Sequence, residues 1–397
     1  MGRRALLSSP VVVQAVVFGA FAAPIGMLGA AWPEGRLRVD RPAAALGLLV
    51  TGYGLGRLST SATALAILRR VSIGPATATV CVGLAGAQVV MATTRSFAVL
   101  GVAATAVGLA SGTLDSLGNR YQTAVRDVRQ AGLVFGAYGV GATAFPALVG
   151  ITSWPVGFLA GAGAALAAAA LALSPAVRWP AALAEHRGPA VAHPTAGPAV
   201  RAAAAWSLAA FALFCTVEIV TGNWAATYLE DGRGVSGRSA AFAVSGFWGG
   251  ITVGRLLLGR ARLGPRPLLV GAGSVAAALI VALPLVPGVI ALGTLPLVGL
   301  ALAPLFPTLM ATTADRVGPE HAGRLGGYQL VAMNLGGTGL SALVGVAVGA
   351  WDARAVGWLA AGLALVGLPL LLRTARLVPA GRPAPRSHPV PAGRRPA

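Results

Sequence analysis

The chain has 397 residues, of which 56% are hydrophobic and only 10% charged, and its mean hydropathy is +0.76. That composition excludes an ordinary soluble domain, in which about a quarter of the residues are charged. The formal charge of +19 comes from thirty arginines and no lysine against 11 acids; because these arginines fall at the ends of apolar runs rather than on one amphipathic surface, a nucleic-acid-binding face is excluded as well.

Apolar runs recur along the whole chain, long enough to cross a hydrocarbon core about 30 Å thick as helices. Barrel strands would read instead as short alternating segments. The predicted fold is therefore an all-α membrane protein of twelve transmembrane helices. The first span, 10–32, is longer than a signal-peptide core and flows into further spans, so it is read as retained. The others are predicted at 43–67, 74–94, 97–119, 131–153, 155–174, 203–228, 239–259, 267–286, 289–312, 325–349 and 355–373. The Pro- and Ala-rich stretch 175–201 reads as a linker, dividing an N-terminal six-helix half (1–174) from a C-terminal one (202–373). The tail, 374–397, reads as disordered and basic.

Two features link the halves. The second span contains GYGLGRL (52–58) and the eighth GITVGRL (250–256), so the frame G-x-x-x-G-R-L recurs six spans later, as expected of a duplicated, pseudo-symmetric unit. Arginine also alternates in density between successive loops. Twenty-one lie in the loops and tails on the side of the N-terminus, and seven (Arg36, Arg38, Arg41, Arg95, Arg233, Arg238, Arg354) on the other. The positive-inside rule places both termini in the cytoplasm, with the chain in the cytoplasmic (inner) membrane.

An ionised side chain inside a membrane helix costs about 2.5–3.5 kcal/mol on insertion scales, so such residues mark function. Four qualify: Arg57, Asp115, Glu218 and Arg255. In the fourth span Gly108, Ser111, Gly112, Asp115 and Asn119 form one small and polar stripe at helical spacing, expected to face a central cavity if the helix continues through Tyr121; a helix ending near Gly118 would leave Asp115 at the rim. An acid buried there with no fixed cation beside it could gain and lose a proton near neutral pH. In the seventh span Glu218 follows sixteen uncharged residues. Asn223 and Trp224 come about a turn later, with Trp224 either stacking on a solute ring or anchoring the helix at the interface. Arg57 and Arg255 either pair with the acids across the cavity or bond carbonyls at a gate, the gate being preferred for Arg255.

These residues carry a resemblance. Two six-span halves, a basic linker and the RRVSIG loop after span two look like the major facilitator superfamily over essentially the whole chain. Within it the fourth span resembles the fucose:proton symporter family, in which an acid is followed four residues later by Asn, as Asp115 is by Asn119; the acid before GNWAATYL, GRLLLGR in span eight and APLFPTLMA in span ten add to the likeness. The resemblance implies proton-coupled, sugar-like symport, with Asp115 as a protonation site coupled to substrate binding and Asn119 and Glu218 lining the cavity. The expected site, with transport by alternating access, comprises Asp115 and Glu218 as proton-coupling acids, Asn119, Tyr138, Asn223, Trp224 and Asn334 as solute contacts and Arg57 and Arg255 as gating residues. The chain departs from that family in lacking an acid in span one, and it offers Phe135 and Tyr138 where span five usually carries amides.

Two alternatives stay open. Proton-coupled efflux of drugs or metabolites shares the architecture, with Pro146 the one hint toward it. A membrane-embedded sensor or enzyme is the rival of another class, but the chain shows no HExxH, no Walker A motif and no metal-ligand cluster. No enzyme activity, cofactor, metal or nucleic acid is expected. The expected partners are a small-molecule substrate, protons and the lipid bilayer, and the expected state is a monomer.

Overall fold

Proline opens four of the long helices. Pro10, Pro198, Pro265 and Pro319 each take the first helical position, where the missing N–H would have no intrahelical partner in any case. The computed structural model describes residues 9–60, 71–125, 128–179, 196–258 and 263–379, and every regular element among them is helical. In chain order these are α1 (Pro10–Arg38), α2 (Leu46–Leu58, preceded by the 3₁₀ turn Ala43–Ala45), α3 (Ile73–Thr93), α4 (Phe97–Val125), α5 (Val128–Ile151), α6 (Trp154–Ala172) and α7 (Pro198–Thr227, running into a π turn at Tyr228–Gly232). There follow α8 (Gly237–Leu258), α9 (Pro265–Ala282), α10 (Gly288–Leu302), α11 (Leu305–Ala311), α12 (Thr313–Val317), α13 (Pro319–Ala350) and α14 (Ala355–Arg376).

Eleven helices among the described residues are long and apolar enough to cross a membrane. The expected second span is described only as Ala43–Leu58, its remainder lying outside the described residues, as do most of the proposed linker and tail. The expected tenth span is broken in two at Ala303 and Pro304, because proline can neither donate to the helical ladder nor clear the preceding turn. The fourth helix runs on to Val125, six residues beyond its expected end, which satisfies the condition for Asp115 lying well within it. Outward-facing Leu48, Val102, Val140, Val289 and Val346 are each more than 60% exposed, an apolar surface that suits lipid rather than water.

The recurring glycine frame does the same packing work twice. A side-chain carbon on Gly56 would strike the Thr105 carbonyl oxygen of α4, and one on Gly250 would strike the Pro296 carbonyl oxygen of α10. Thus α2 lies backbone to backbone on α4, and α8 on α10, as small residues allow between helices in lipid.

Contacts between the helices before residue 172 and those after residue 198 gather toward one side. We call the side where α1 and α7 begin the near face, and the side where they end the far face. Gly29 of α1 packs against the Asn223 backbone of α7, Gly345 of α13 meets the Ala44 carbonyl, and the Ser245 hydroxyl of α8 donates to the Thr143 carbonyl of α5 at 2.7 Å. At the far end Arg36 bonds Asp231 at 2.9 Å. The same end is braced within the first group, where the Glu34 carboxylate accepts the Trp154 N–H at 2.7 Å and so caps α6, and the Trp154 indole donates to the Met91 carbonyl.

Gly56→Leu and Gly250→Leu are each expected to destabilise the protein by about 1–3 kcal/mol, because neither backbone seam can open for a side chain. Gly83→Leu, at a position with open space around it, serves as the neutral control, and thermal unfolding in detergent reads all three.

Candidate functional site

The small residues of the α4 stripe form a seam rather than a cavity wall. Gly108 sits on the Tyr53 carbonyl and Gly112 against Thr60 and the Arg57 backbone, so the expected cavity-facing stripe is the surface on which α2 rests. That close approach brings the Arg57 guanidinium onto Asp115, with Nη2 donating to Oδ2 at 3.0 Å. Asn119, one turn further along α4, donates its Nδ2 to the other carboxylate oxygen at 3.0 Å. The Arg57 side chain is 18% exposed and that of Asp115 32%, so the acid is the open member of the pair. An acid without a fixed cation beside it is therefore not what the fold provides: Arg57 is that cation, delivered by a neighbouring helix.

A second pair forms in the second group. Arg255, in the last turn of α8, donates from Nη2 to Glu218 Oε1 of α7 at 3.3 Å, so its guanidinium reaches an acid rather than the carbonyls expected of a gate. Here the exposure is reversed, Arg255 at 38% and Glu218 at 15%. The guanidinium stands 6.0 Å from the centre of the Phe306 ring, which packs on Phe211 at 5.4 Å. Tyr138 stands on α5, which packs against both α1 and α8. Its hydroxyl is within electrostatic reach of Tyr53, Arg57, Asp115 and Arg255, and its ring rests 5.6 Å from Phe21. The two ion pairs, one in each group of helices, thus both bear electrostatically on Tyr138 through their arginines.

Other expected residues are placed apart. Asn223 is 4% exposed and sealed into the α1–α7 crossing, and Trp224 is fully buried with no partner for its indole N–H, so Trp224 does not anchor α7 among headgroups. Asn334 on α13 turns back to donate to its own Leu330 carbonyl at 2.9 Å. Sequence reasoning missed Tyr53 and Phe306, ordinary aromatics in an apolar run, and the Arg36–Asp231 pair, whose members stand 195 residues apart. It also missed Arg316, which is 7% exposed on the short α12. Its guanidinium is held by neutral oxygens, Ser207 Oγ at 2.8 Å, the Leu309 carbonyl at 2.7 Å and the Thr312 hydroxyl, and so ties α12 to α7. Burial, partly offset by Asp315, lowers the Arg316 pKa to about 10, which leaves it charged at neutral pH. Among the described residues no group of three His, Cys, Asp or Glu could hold a metal ion.

The chain belongs to the Major Facilitator Superfamily, whose family model matches residues 11–339. It is accordingly a multi-pass membrane transporter that binds small-molecule substrates, and not an enzyme. The crystal structure of the nucleoside transporter NupG superposes with a TM-score of 0.71 at 16% identity, over 94% of this chain and 99% of that one. A bacterial homolog of the human lysosomal transporter Spinster, inward-facing and unoccupied, gives a TM-score of 0.69 at 13% identity over 95% of this chain and 98% of that one. At these identities the likeness is one of fold. No curated protein sequence matches the chain.

Because the Arg57–Asp115 pair is only partly exposed, a double-mutant cycle with Arg57→Ala and Asp115→Ala should give a coupling of about 1–2 kcal/mol, below that of a fully buried pair. The same cycle at Arg255 and Glu218 should give less, since Arg255 is the more open arginine; denaturation in detergent measures both.

Proposed function

We propose that the protein takes up a small, polar, sugar-like solute together with protons by alternating access, as a monomer in the cytoplasmic membrane. Two pseudo-symmetric six-helix halves rock about a site between them, with the near face in the cytoplasm. The observation that carries this reading is the placement of the ion pairs relative to the seam. Gly29 with Asn223, Ala44 with Gly345 and Arg36 with Asp231 hold the halves together toward the far face, whereas Asp115 lies in the near half of α4 and Arg255 in the last turn of α8. This is the arrangement expected of a carrier closed to the outside and open to the cytoplasm.

In this reading Asp115 is the proton-coupling acid and Asn119 orients it, with Glu218, held by the repeat's other arginine Arg255, as the second coupling acid. Protons fit better than sodium, because each acid is held by a side-chain cation rather than clustered with carbonyl donors. Tyr138 contacts the solute between the pairs. Asn223 and Trp224, sealed in the α1–α7 crossing, join the site when that seam parts, and Asn334 approaches it from α13. Arg57 and Arg255 gate by holding or releasing their acids. The repeated glycine frame, packing α2 on α4 and α8 on α10, supports two equivalent halves. The nucleoside transporter among the similar structures fits the same picture, since a nucleoside contains a sugar.

Asp115→Asn is expected to abolish uptake driven by an imposed pH gradient in proteoliposomes while leaving solute exchange intact; a pH-driven flux that survives the substitution would retire the role. Asp231→Asn should loosen the far face. In a chain with Cys81 and Cys215 replaced, labelling of Asn223→Cys by an impermeant maleimide from that face should rise severalfold, and unchanged labelling would count against the latch.

A further inference from the structure

We infer that the solute is an anion, a small hydroxyl-bearing carboxylate of the sugar-acid class, whose carboxylate takes the place of Asp115 on Arg57 when Asp115 carries a proton. This rests on the proton-coupled reading above and narrows its substrate.

The argument begins with charge. Arg57, Asp115, Arg255 and Glu218 sum to zero, each arginine answered by one acid. A proton on Asp115 removes one of those acids and leaves Arg57, mostly buried, facing a neutral group. Among the described residues no second acid acts on Arg57. α2 brings Tyr53, α5 brings Tyr138, α4 itself brings Asn119 and Arg120, neither α3 nor the 10–33 stretch of α1 contains a charged side chain, and α13, which packs on α2, carries Glu320, His321 and Arg324 only in its first two turns. An unanswered charge in a desolvated site is the costly half of a broken ion pair. A neutral hexose could satisfy the guanidinium N–H groups but not its charge. A carboxylate does both, in the fork-to-fork geometry that guanidinium favours. One proton and one monoanion bound together keep the total at zero, so the loaded and empty carriers reorient with the same charge. A phosphate monoester, bearing nearly two negative charges, would overshoot.

The exposure of the second pair points the same way. Arg255 is its open member and Glu218 its covered one. The Tyr138 hydroxyl stands within electrostatic reach of both Arg57 and Arg255, so a second guanidinium and a phenol act on the same region as the first pair. Asn119 and Tyr138 supply neutral partners for cargo hydroxyl groups.

The test titrates the purified protein with sodium D-gluconate and, separately, with D-glucose at pH 5.5 and pH 8.0, reading the thermal-unfolding midpoint. Gluconate should bind at least about tenfold more tightly at the lower pH, and glucose should shift neither curve. Asp115→Asn, which mimics the protonated acid, should bind gluconate with little pH dependence; adding Arg57→Lys to it should weaken binding about tenfold and adding Arg57→Gln should abolish it. Arg255→Lys is the second variant, expected to weaken gluconate while preserving its pH dependence. A glucose response exceeding that of gluconate, no gluconate response, or one equal at the two pH values in the unaltered protein overturns the inference. Uptake into proteoliposomes separates this from the transport reading. Gluconate binding without flux removes uptake and leaves the anion site standing, while glucose flux without gluconate binding leaves a transporter and removes the anion.

Discussion

A charge inside an apolar slab must be answered by another charge, and in this protein every feature of the central site follows from that requirement. Arg57 and Arg255 would each be prohibitive alone among lipid-facing helices. Each becomes tolerable because a neighbouring helix presents a carboxylate, Asp115 at 3.0 Å and Glu218 at 3.3 Å. For Arg57 the reach depends in turn on glycine. Were Gly56 or Gly108 to carry a side chain, α2 and α4 could not lie backbone to backbone, and the guanidinium would no longer meet Asp115.

The two pairs are alike in composition and unlike in what they expose. In the first the acid is open and the base covered, and in the second the order is reversed. The four charges sum to zero, and the Tyr138 hydroxyl is within electrostatic reach of both arginines. Such neutrality suits a carrier, because an empty site that must cross between states with a net charge would be driven or opposed by the membrane potential. It also makes the protonation state of one acid consequential, since among the described residues no second acid acts on the arginine that acid holds.

The seam between the two groups of helices is tightly packed. Gly29 against Asn223 and Ala44 against Gly345 leave no room for side chains, and the Arg36–Asp231 pair closes the end of the same seam. Arg316, held by neutral oxygens on α12, braces the near-face end of the second group through Ser207, so that group holds its internal shape while its contacts with the first lie elsewhere. Rigid groups joined along one margin are what a rocking motion requires.

The sequence by itself determined the class of the molecule, the approximate place of nearly every helix, the recurrence of the Gly-Arg frame and the identity of the four charges set within apolar runs. Each of these is written locally, in hydrophobic length, in proline at helix starts and in the rarity of charge within apolar runs. The break at Pro304 was equally local, but an apolar run masks it. Pairing was another matter. The polar stripe on α4 reads the same whether it lines water or packs on a helix, and only the position of α2 decided that Gly108 and Gly112 are packing residues while Asp115 meets an arginine. Likewise Trp224 looks like an interface anchor until the packed bundle buries it, and Arg36 and Asp231 become partners only once two helices far apart in the chain run side by side. Tertiary structure decided these because ion pairing and burial are properties of the space between helices, and a chain read one residue at a time carries no record of which helix fills it.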